Sequence, residues 1–374
     1  MDPSGWNPSE RRIMDGTAWA EFCDTLKAAG AVVLGEGTPE NPFDRAEGFR
    51  YLTRLLRAAL DTFVEGADPV APELLRTAHE TVKMGNDNPD NYYQNAPISG
   101  RHEYRITGTR GTVHYLGFGT QAGNYGATGS LNTTGYLDDK DIALRPDGTF
   151  EIAVSCEKRP GNWLPMTPES RTLVVRQTRL DPSKEEIAKI RIERVDGPHQ
   201  PRPLSAERLD RGLKGSAFFV LGCAKLFQKW ADDFQKHPNE LPPFDPAIAG
   251  AAGGDPNIFY YHSYWKLAPD EALVIEATPP ECDYWNFQLS NHWLESLDYR
   301  YWRIHANKAT VAYEKDGSVR LVVAHDDPGL PNWLQTAGHD RGSMCWRWVR
   351  AKEHPQPRAR VVKLAELRRS GRMA

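Results

Sequence analysis

The chain has 374 residues, with 46 Lys and Arg against 50 Asp and Glu, a formal net charge of −4. Hydrophobic residues make up 40% and charged residues 26%, the balance of a folded chain and not of a disordered one. That balance lacks the basic excess of a nucleic-acid binder, no apolar run approaches the ~18 residues of a membrane span, and the N-terminus lacks the basic-then-apolar pattern of a secretory signal.

At roughly 150 residues per domain the length predicts two or three domains. Five cysteines (Cys23, Cys156, Cys223, Cys282, Cys345) are widely scattered, odd in number and free of any Cys-x-x-Cys pair. They predict neither a disulfide framework nor a zinc site, and a reducing, cytoplasmic location. The expected partner is a small-molecule substrate, with no nucleic acid and no membrane; short β edges leave a homo-oligomer open.

The first hundred residues predict helices. Trp19, Phe22, Cys23 and Leu26 share one helical face behind Thr17 as N-cap, and Asn41-Pro42 caps a second stripe of Phe49, Leu52, Leu55, Leu56 and Leu60. Pro72 to Val82 reads as a third, short helix. From Arg101 the pattern turns to β runs: Tyr104–Thr107, Thr112–Phe118, Phe150–Val154, Leu173–Arg176 and Ile190–Glu193. Gly117, Gly119 and Gly123 are one residue too widely spaced for a dinucleotide fingerprint and read as a β turn. A long helical stretch follows over Ser205–Lys236, which Gly212, Gly215 and Gly222 are expected to bend or break. After an extended connector, β runs resume at Tyr260–Trp265, Leu273–Glu276, Tyr284–Leu289, Thr310–Tyr313, Val319–Ala324 and Cys345–Val349. The tail beyond Lys352 is basic and reads as partly mobile. Seven of the eleven tryptophans follow residue 260.

An internal echo organises the chain. Asp147-Gly148-Thr149-Phe150-Glu151-Ile152-Ala153-Val154, ending in Asn162-Trp163-Leu164, returns as Asp316-Gly317-Ser318-Val319-Arg320-Leu321-Val322-Val323, ending in Asn332-Trp333-Leu334. In each copy a strand carrying an arginine follows, Arg176 or Arg347. Asp-Gly ahead of an alternating strand is a hairpin signal, and its return predicts two related β units. Upstream, Tyr104-Arg105-Ile106 is matched with Tyr264-Trp265-Lys266-Leu267. The predicted fold is α+β and mostly β: two related β-sandwich-like units, an N-terminal helical cap and an inserted long helix. The boundaries read as a helical region at 1–100, a first β unit at 101–200, a helical insertion and linker at 201–254, and a second β unit with the tail at 255–374.

Several motifs resemble the bacterial family built on the domain of unknown function 1214. They are Asp87-Asn88-Pro89-Asp90-Asn91-Tyr92-Tyr93, Tyr104-Arg105-Ile106-Thr107-Gly108, Trp285-Asn286-Phe287-Gln288-Leu289-Ser290-Asn291 with Glu295-Ser296-Leu297-Asp298-Tyr299, and Asn332-Trp333-Leu334 with Gly338-His339. The resemblance implies a mostly β fold behind a helical portion, assigns no catalytic residue, and places the chain among proteins associated with the breakdown of unusual organic compounds.

No nucleophile elbow, zinc helix or phosphate loop is present, so no cofactor and no metal is expected. His325-Asp326-Asp327 could offer metal ligands, but without a specifying spacing. The chemistry-bearing residues crowd into Asn291-His292-Trp293-Leu294-Glu295 through Tyr299. In an extended run Asn291, Trp293 and Glu295 would share a face. His262, His292 or Glu295 is the candidate base, and Tyr299 or Tyr264 the acid or oxyanion donor. Tyr92, Asn95, Trp285, Asn291, Trp293, Trp333 and Arg347 are the candidate substrate contacts. His339 reads as an exposed loop residue. These groups predict a cofactor-independent lyase or hydrolase acting on a small aromatic or polyhydroxylated compound. The alternative is a non-catalytic β-sandwich that binds carbohydrate or another small ligand.

Overall fold

The computed structural model describes residues 5–125, 128–197 and 200–370. The fold is α+β and mostly β, with four four-stranded sheets. The chain divides into two compact, interleaved units. Unit 1 takes in the chain up to Gly35, Phe49–Val82 and Asn91–Leu226; unit 2 takes in Glu36–Gly48, Lys83–Asp90 and the chain from Phe227.

Helix α1 (Pro8–Met14) begins in a capping box between Asn7 and Glu10. Helix α2 (Thr17–Val32) starts one residue earlier than a Thr17 cap requires. Gly16 is its N-cap, left-handed at φ 81°, and Asp15 accepts the Thr17 N–H at 2.9 Å. Ala18 and Phe22 bury against Leu213 and Ala217, whereas Trp19 is 61% exposed. Helix α3 (Pro42–Leu60) is capped by Asn41, whose Oδ1 accepts the Asp44 N–H at 2.8 Å. Residues 72–82 form no helix; their backbone instead makes isolated bridges, Leu75 to Asn95 and His79 to Val82. Helix α4 (Ala206–Phe234) runs unbroken through its glycines. A Cβ on Gly212 would lie 2.6 Å from the Phe63 carbonyl oxygen, so this glycine admits a neighbouring backbone and does not bend the helix.

In unit 1, β1 (Asn91–Pro97), β2 (Tyr104–Thr109), β3 (Tyr115–Ala122), β4 (Asn132–Asp138), β5 (Thr149–Ser155), β6 (Trp163–Pro165), β7 (Thr172–Thr178) and β8 (Lys189–Arg194) form sheets ordered β1-β7-β3-β4 and β6-β5-β2-β8. Gly117 and Gly119 lie inside β3, where a turn was expected. After the short helix α5 (Pro246–Ala251), unit 2 repeats the plan. Its strands are β9 (Ile258–Lys266), β10 (Glu271–Ala277), β11 (Tyr284–Leu289), β12 (His305–Asn307), β13 (Val319–Ala324), β14 (Trp333–Gln335), β15 (Arg341–Val349) and β16 (Arg358–Lys363). They form β9-β15-β11-β12 and β14-β13-β10-β16, so adding eight to each strand number of the first unit gives the second. Even the exceptions repeat: β5–β6 and β13–β14 are the parallel pairs among antiparallel ones.

Register refines the echo. Arg176 lies between Tyr93 and Gly117, and Arg347 between Tyr260 and Asn286. Tyr104 in β2 thus corresponds to β10 and not to Tyr264 in β9. The true upstream match is Asn88-Pro89-Asp90 with Asp255-Pro256-Asn257, each directly ahead of the first strand of its copy. Asn162 closes its loop by accepting from Ala143 N and donating to the Ala143 and Glu151 carbonyls. Asn332 does the same with Ala312 and Arg320. Thr310–Tyr313, expected as a strand, is the loop that receives those bonds. The tail pairs as β16 on β10 and ends in helix α6 (Leu364–Ser370), so the described part of it is ordered.

Each unit packs its two sheets face to face. Ile106, Phe118, Phe150, Ile152 and Val175 fill the first core. Trp265, Trp285, Trp346 and Trp348 fill the second with Phe287, Leu321 and Val323, the rings of Trp285 and Trp346 stacking at 5.0 Å. The aromatic richness of the C-terminal third is therefore mostly core. Asn332 is buried and left-handed, at φ 58°. We expect Asn332→Ala to cost about 2–4 kcal/mol, because it strands three backbone groups and penalises the backbone as well. Denaturant unfolding checks this, with Asn332→Gly recovering the conformational part only.

Candidate functional site

The sheet β9-β15-β11-β12 has one apolar and one polar face. Alternation sends Trp285 and Phe287, Trp346 and Trp348, and Tyr261 and Trp265 into the core. The other face presents Tyr284, Asn286 and Gln288 from β11, Ser343, Cys345 and Arg347 from β15, Tyr260, His262 and Tyr264 from β9, and His305 and Asn307 from β12. An outer polar face ordinarily meets water. Here most of it is buried, and the segment Lys83–Asp90 supplies partners for it.

Gln288 Nε2 donates to the Asp87 carbonyl at 2.8 Å, and Asn286 Nδ2 to Asn88 Oδ1 at 2.8 Å. Asp90 accepts from Tyr284 Oη at 2.5 Å and from His305 Nε2 and Asn307 Nδ2, both at 3.1 Å. Arg347 donates to Gln288 Oε1 at 2.6 Å, Asn286 Oδ1 at 3.3 Å and the Asn86 carbonyl at 2.6 Å. Asp87 receives Ser296 N at 3.0 Å and Ser296 Oγ at 2.8 Å. Burial pushes its carboxyl up, against the opposing pull of Lys83 and Ser296. Lys83 donates to the Ser296 and Leu297 carbonyls at 2.7 and 2.8 Å. Arg347 thus holds this interface together through amide and carbonyl oxygens.

His262 lies between Phe234 and Tyr260, rings near parallel at 5.3 and 5.4 Å, with Phe244 edge-on at 4.8 Å. Its Nδ1 lies 3.4 Å from Asn86 Nδ2. Burial, helped by Arg347, pushes it down to about 3, so it is a neutral member of an aromatic stack. The 290–297 segment is a tight turn and not the expected extended run. Asn291 Oδ1 accepts from Trp293 N and Glu295 N at 3.0 and 3.1 Å, with Leu294 left-handed at φ 58°. Glu295 is fully buried and accepts from Asn291 Nδ2 at 3.0 Å; these two residues fix the turn. Tyr299 is half-buried under the Lys83 ammonium, 4.5 Å from its ring centre. Trp285 is core, and Trp333 donates its indole N–H to the Ala324 carbonyl at 3.0 Å. Tyr92 and Asn95 belong to unit 1, where Arg76 covers Tyr92 at 4.3 Å and Asn95 accepts from Thr77 at 2.5 Å.

The same turn places His292 in a connected chain. Gln228 Nε2 donates to Asp232 at 2.8 Å, so its Oε1 accepts from His292 Nε2 at 3.0 Å. That leaves His292 Nδ1 to accept the Tyr264 hydroxyl at 2.9 Å. Burial pushes His292 down to about 4 and the Tyr264 phenol well above its ordinary value. Trp293 stands edge-on to His292 at 4.8 Å and donates its indole N–H to the Asp44 carbonyl at 2.8 Å.

Asp44 opens the part of the site that sequence reasoning missed. Its Oδ1 lies 2.8 Å from His339 Nδ1, with both residues buried. Burial works to raise the Asp44 carboxyl, but hydrogen bonds from His339 and Asn41 outweigh it and hold it below the ordinary range. Two consecutive left-handed residues, Ala337 at φ 51° and Gly338 at φ 90°, turn His339 inward, and Phe43 packs on its ring at 4.6 Å. The signal available in the sequence was Gly338-His339, read as an exposed loop. His325 bonds Thr336 Oγ1 at 2.9 Å, and no group of three His, Cys, Asp or Glu among the described residues could hold a metal ion.

His292 makes acid stability testable. An unfolded imidazole titrates near 6.5, whereas His292 does so at about 4. Protons therefore favour the unfolded chain, and this contribution is complete above about pH 6.5 and fades as pH falls toward 4. We expect it to remove on the order of 3 kcal/mol by pH 4, and urea unfolding of His292→Asn to show a correspondingly flatter dependence between pH 7 and 4.

Residues 268–353 match the model of the protein family of unknown function DUF1214. An uncharacterised protein from Burkholderia cenocepacia, known from its crystal structure, is 51% identical, with 95% of this chain and 99% of that one covered and a TM-score of 0.94. A protein from Vibrio parahaemolyticus aligns at 12% identity over 91% of this chain and 100% of its own, with a TM-score of 0.47. No curated protein matches. The chain belongs to the family of the Burkholderia cenocepacia protein and carries its DUF1214 domain within the second sandwich.

Proposed function

We propose that the second unit is an acid–base catalyst, a lyase or hydrolase that acts without an organic cofactor on a small aromatic or polyhydroxylated compound. The observation that carries this reading is the buried Asp44–His339 pair, 2.8 Å from Oδ1 to Nδ1. With Nδ1–H donated to the carboxylate, His339 Nε2 holds the lone pair, and Asp44 stabilises the imidazolium that forms when it takes a proton. A base held in one tautomer by a buried carboxylate is the arrangement that proton abstraction needs.

The neighbouring chain supplies the complementary part. Tyr264 resists ionisation and gives its one hydroxyl proton to His292 Nδ1, so its phenol oxygen is left as an acceptor that can orient a substrate hydroxyl toward the base. His292 orients that hydroxyl and stays neutral, while Gln228 holds the far side of its ring. Elimination, retro-aldol cleavage and hydrolysis all draw on such a base and on a polar group that orients the substrate. In this reading His262 and Glu295 are supports and not reacting groups. All five cysteines are free, which suits a reducing compartment, and we place the protein in the cytoplasm.

The test is a panel of hydroxylated aromatic acids and sugar acids, incubated with the protein and followed by mass spectrometry. We expect product from at least one compound, with His339→Gln and Asp44→Asn each lowering turnover by about 10²–10⁴-fold at unchanged melting temperature. Turnover that survives both substitutions, or no product from any compound, overturns the proposal.

A further inference from the structure

We infer that the site selects carboxylated substrates and that Arg341 is the residue that reads the carboxylate, released to it by Asp340. The inference rests on the acid–base reading above and names its substrate class. Arg341 opens β15 and shares the polar face with Ser343, Cys345 and Arg347. Ser343 pairs with Tyr264 across the ladder and Arg341 with Lys266, so Arg341 is one diagonal step from Tyr264. At this end of the sheet the face emerges into solvent: the Arg341 side chain is 31% exposed, against 4% for Arg347.

The guanidinium is already arranged as a carboxylate receptor. Its Nε donates to Asp340 Oδ1 at 2.9 Å and its Nη2 to Asp340 Oδ2 at 3.0 Å, the two-pronged geometry that a planar carboxylate satisfies. The occupant is the preceding residue, 49% exposed, and an ion pair this open contributes little to stability. A substrate carboxylate can therefore replace Asp340 at small cost and keep both hydrogen bonds. Arg341 also acts electrostatically on Tyr264 and His292. A cation at this position favours negative charge developing on a bound substrate.

The experiment is calorimetric titration of the full chain with matched pairs: benzoate and benzamide, mandelate and mandelamide, gluconate and gluconamide. We expect at least one acid to bind about 10–100-fold more tightly than its amide, Arg341→Gln to abolish that preference, and Arg341→Lys to restore part of it. Asp340→Asn, which removes the internal competitor, should tighten acid binding several-fold; a merely structural ion pair would leave it unmoved. Equal binding of acid and amide, a preference that persists in Arg341→Gln, or no binding of any acid at about 10 mM overturns the inference. His339→Gln separates the two readings, since it should stop turnover while leaving the acid-over-amide preference intact.

Discussion

A polar sheet face cannot be buried unless something other than water satisfies it, and in the second unit that requirement shapes the segments around the sheet. Asn286, Gln288, Asn307 and Arg347 are buried and need oxygens and donors at fixed places. Asp87, Asn88, Asp90 and the Asn86 carbonyl supply them from a single short stretch. Asp87 in turn secures the Ser296 turn, and that turn begins with the residues that place His292 and Trp293. The apolar face needs no such partner and packs as an ordinary sandwich core. The order of the candidate site is thus set by polar satisfaction on one side of the sheet more than by the tryptophans on the other.

The imidazoles of this unit differ in the partner that each one meets. His262 meets rings, and His292 meets a hydroxyl and an amide; neither partner stabilises added charge, so burial depresses both. His339 meets a carboxylate. Of these three only His339 has a buried carboxylate to fix its tautomer; His305, on Asp90 at 3.1 Å, has the same kind of partner.

What the sequence made legible was local. Asp147-Gly148 and Asp316-Gly317 announce their hairpins because the Asp side chain and the glycine act within two residues, and Asn162 and Asn332 repeat because each closes a short loop. The long helix was legible from its apolar stripe, though its glycines misled: Gly212 marks a close approach to Phe63, a contact that spacing does not encode. Trp285 could be placed on a strand but not on a face. Asp44 and His339 are 295 positions apart, and what joins them is a pair of left-handed residues whose effect on chain direction leaves little compositional trace. Asn88-Pro89-Asp90 stood out as a motif, yet its role as a cap for a distant sheet depended on long-range pairing.

The interleaving of the units also bears on how the molecule is made. Residues 36–48 and 83–90 leave the ribosome long before β9–β16, the strands they complete. During vectorial synthesis they must remain unsatisfied, or make provisional contacts, until β11 and β15 have followed, about 190 to 260 residues after residue 90, a delay of order tens of seconds at ~5–20 residues per second. A fragment cut at the start of the DUF1214 match would contain most of the second sandwich's strands but not the stretches that quench its hydrophilic side, so excising that region by homology boundaries alone would leave an incomplete molecule.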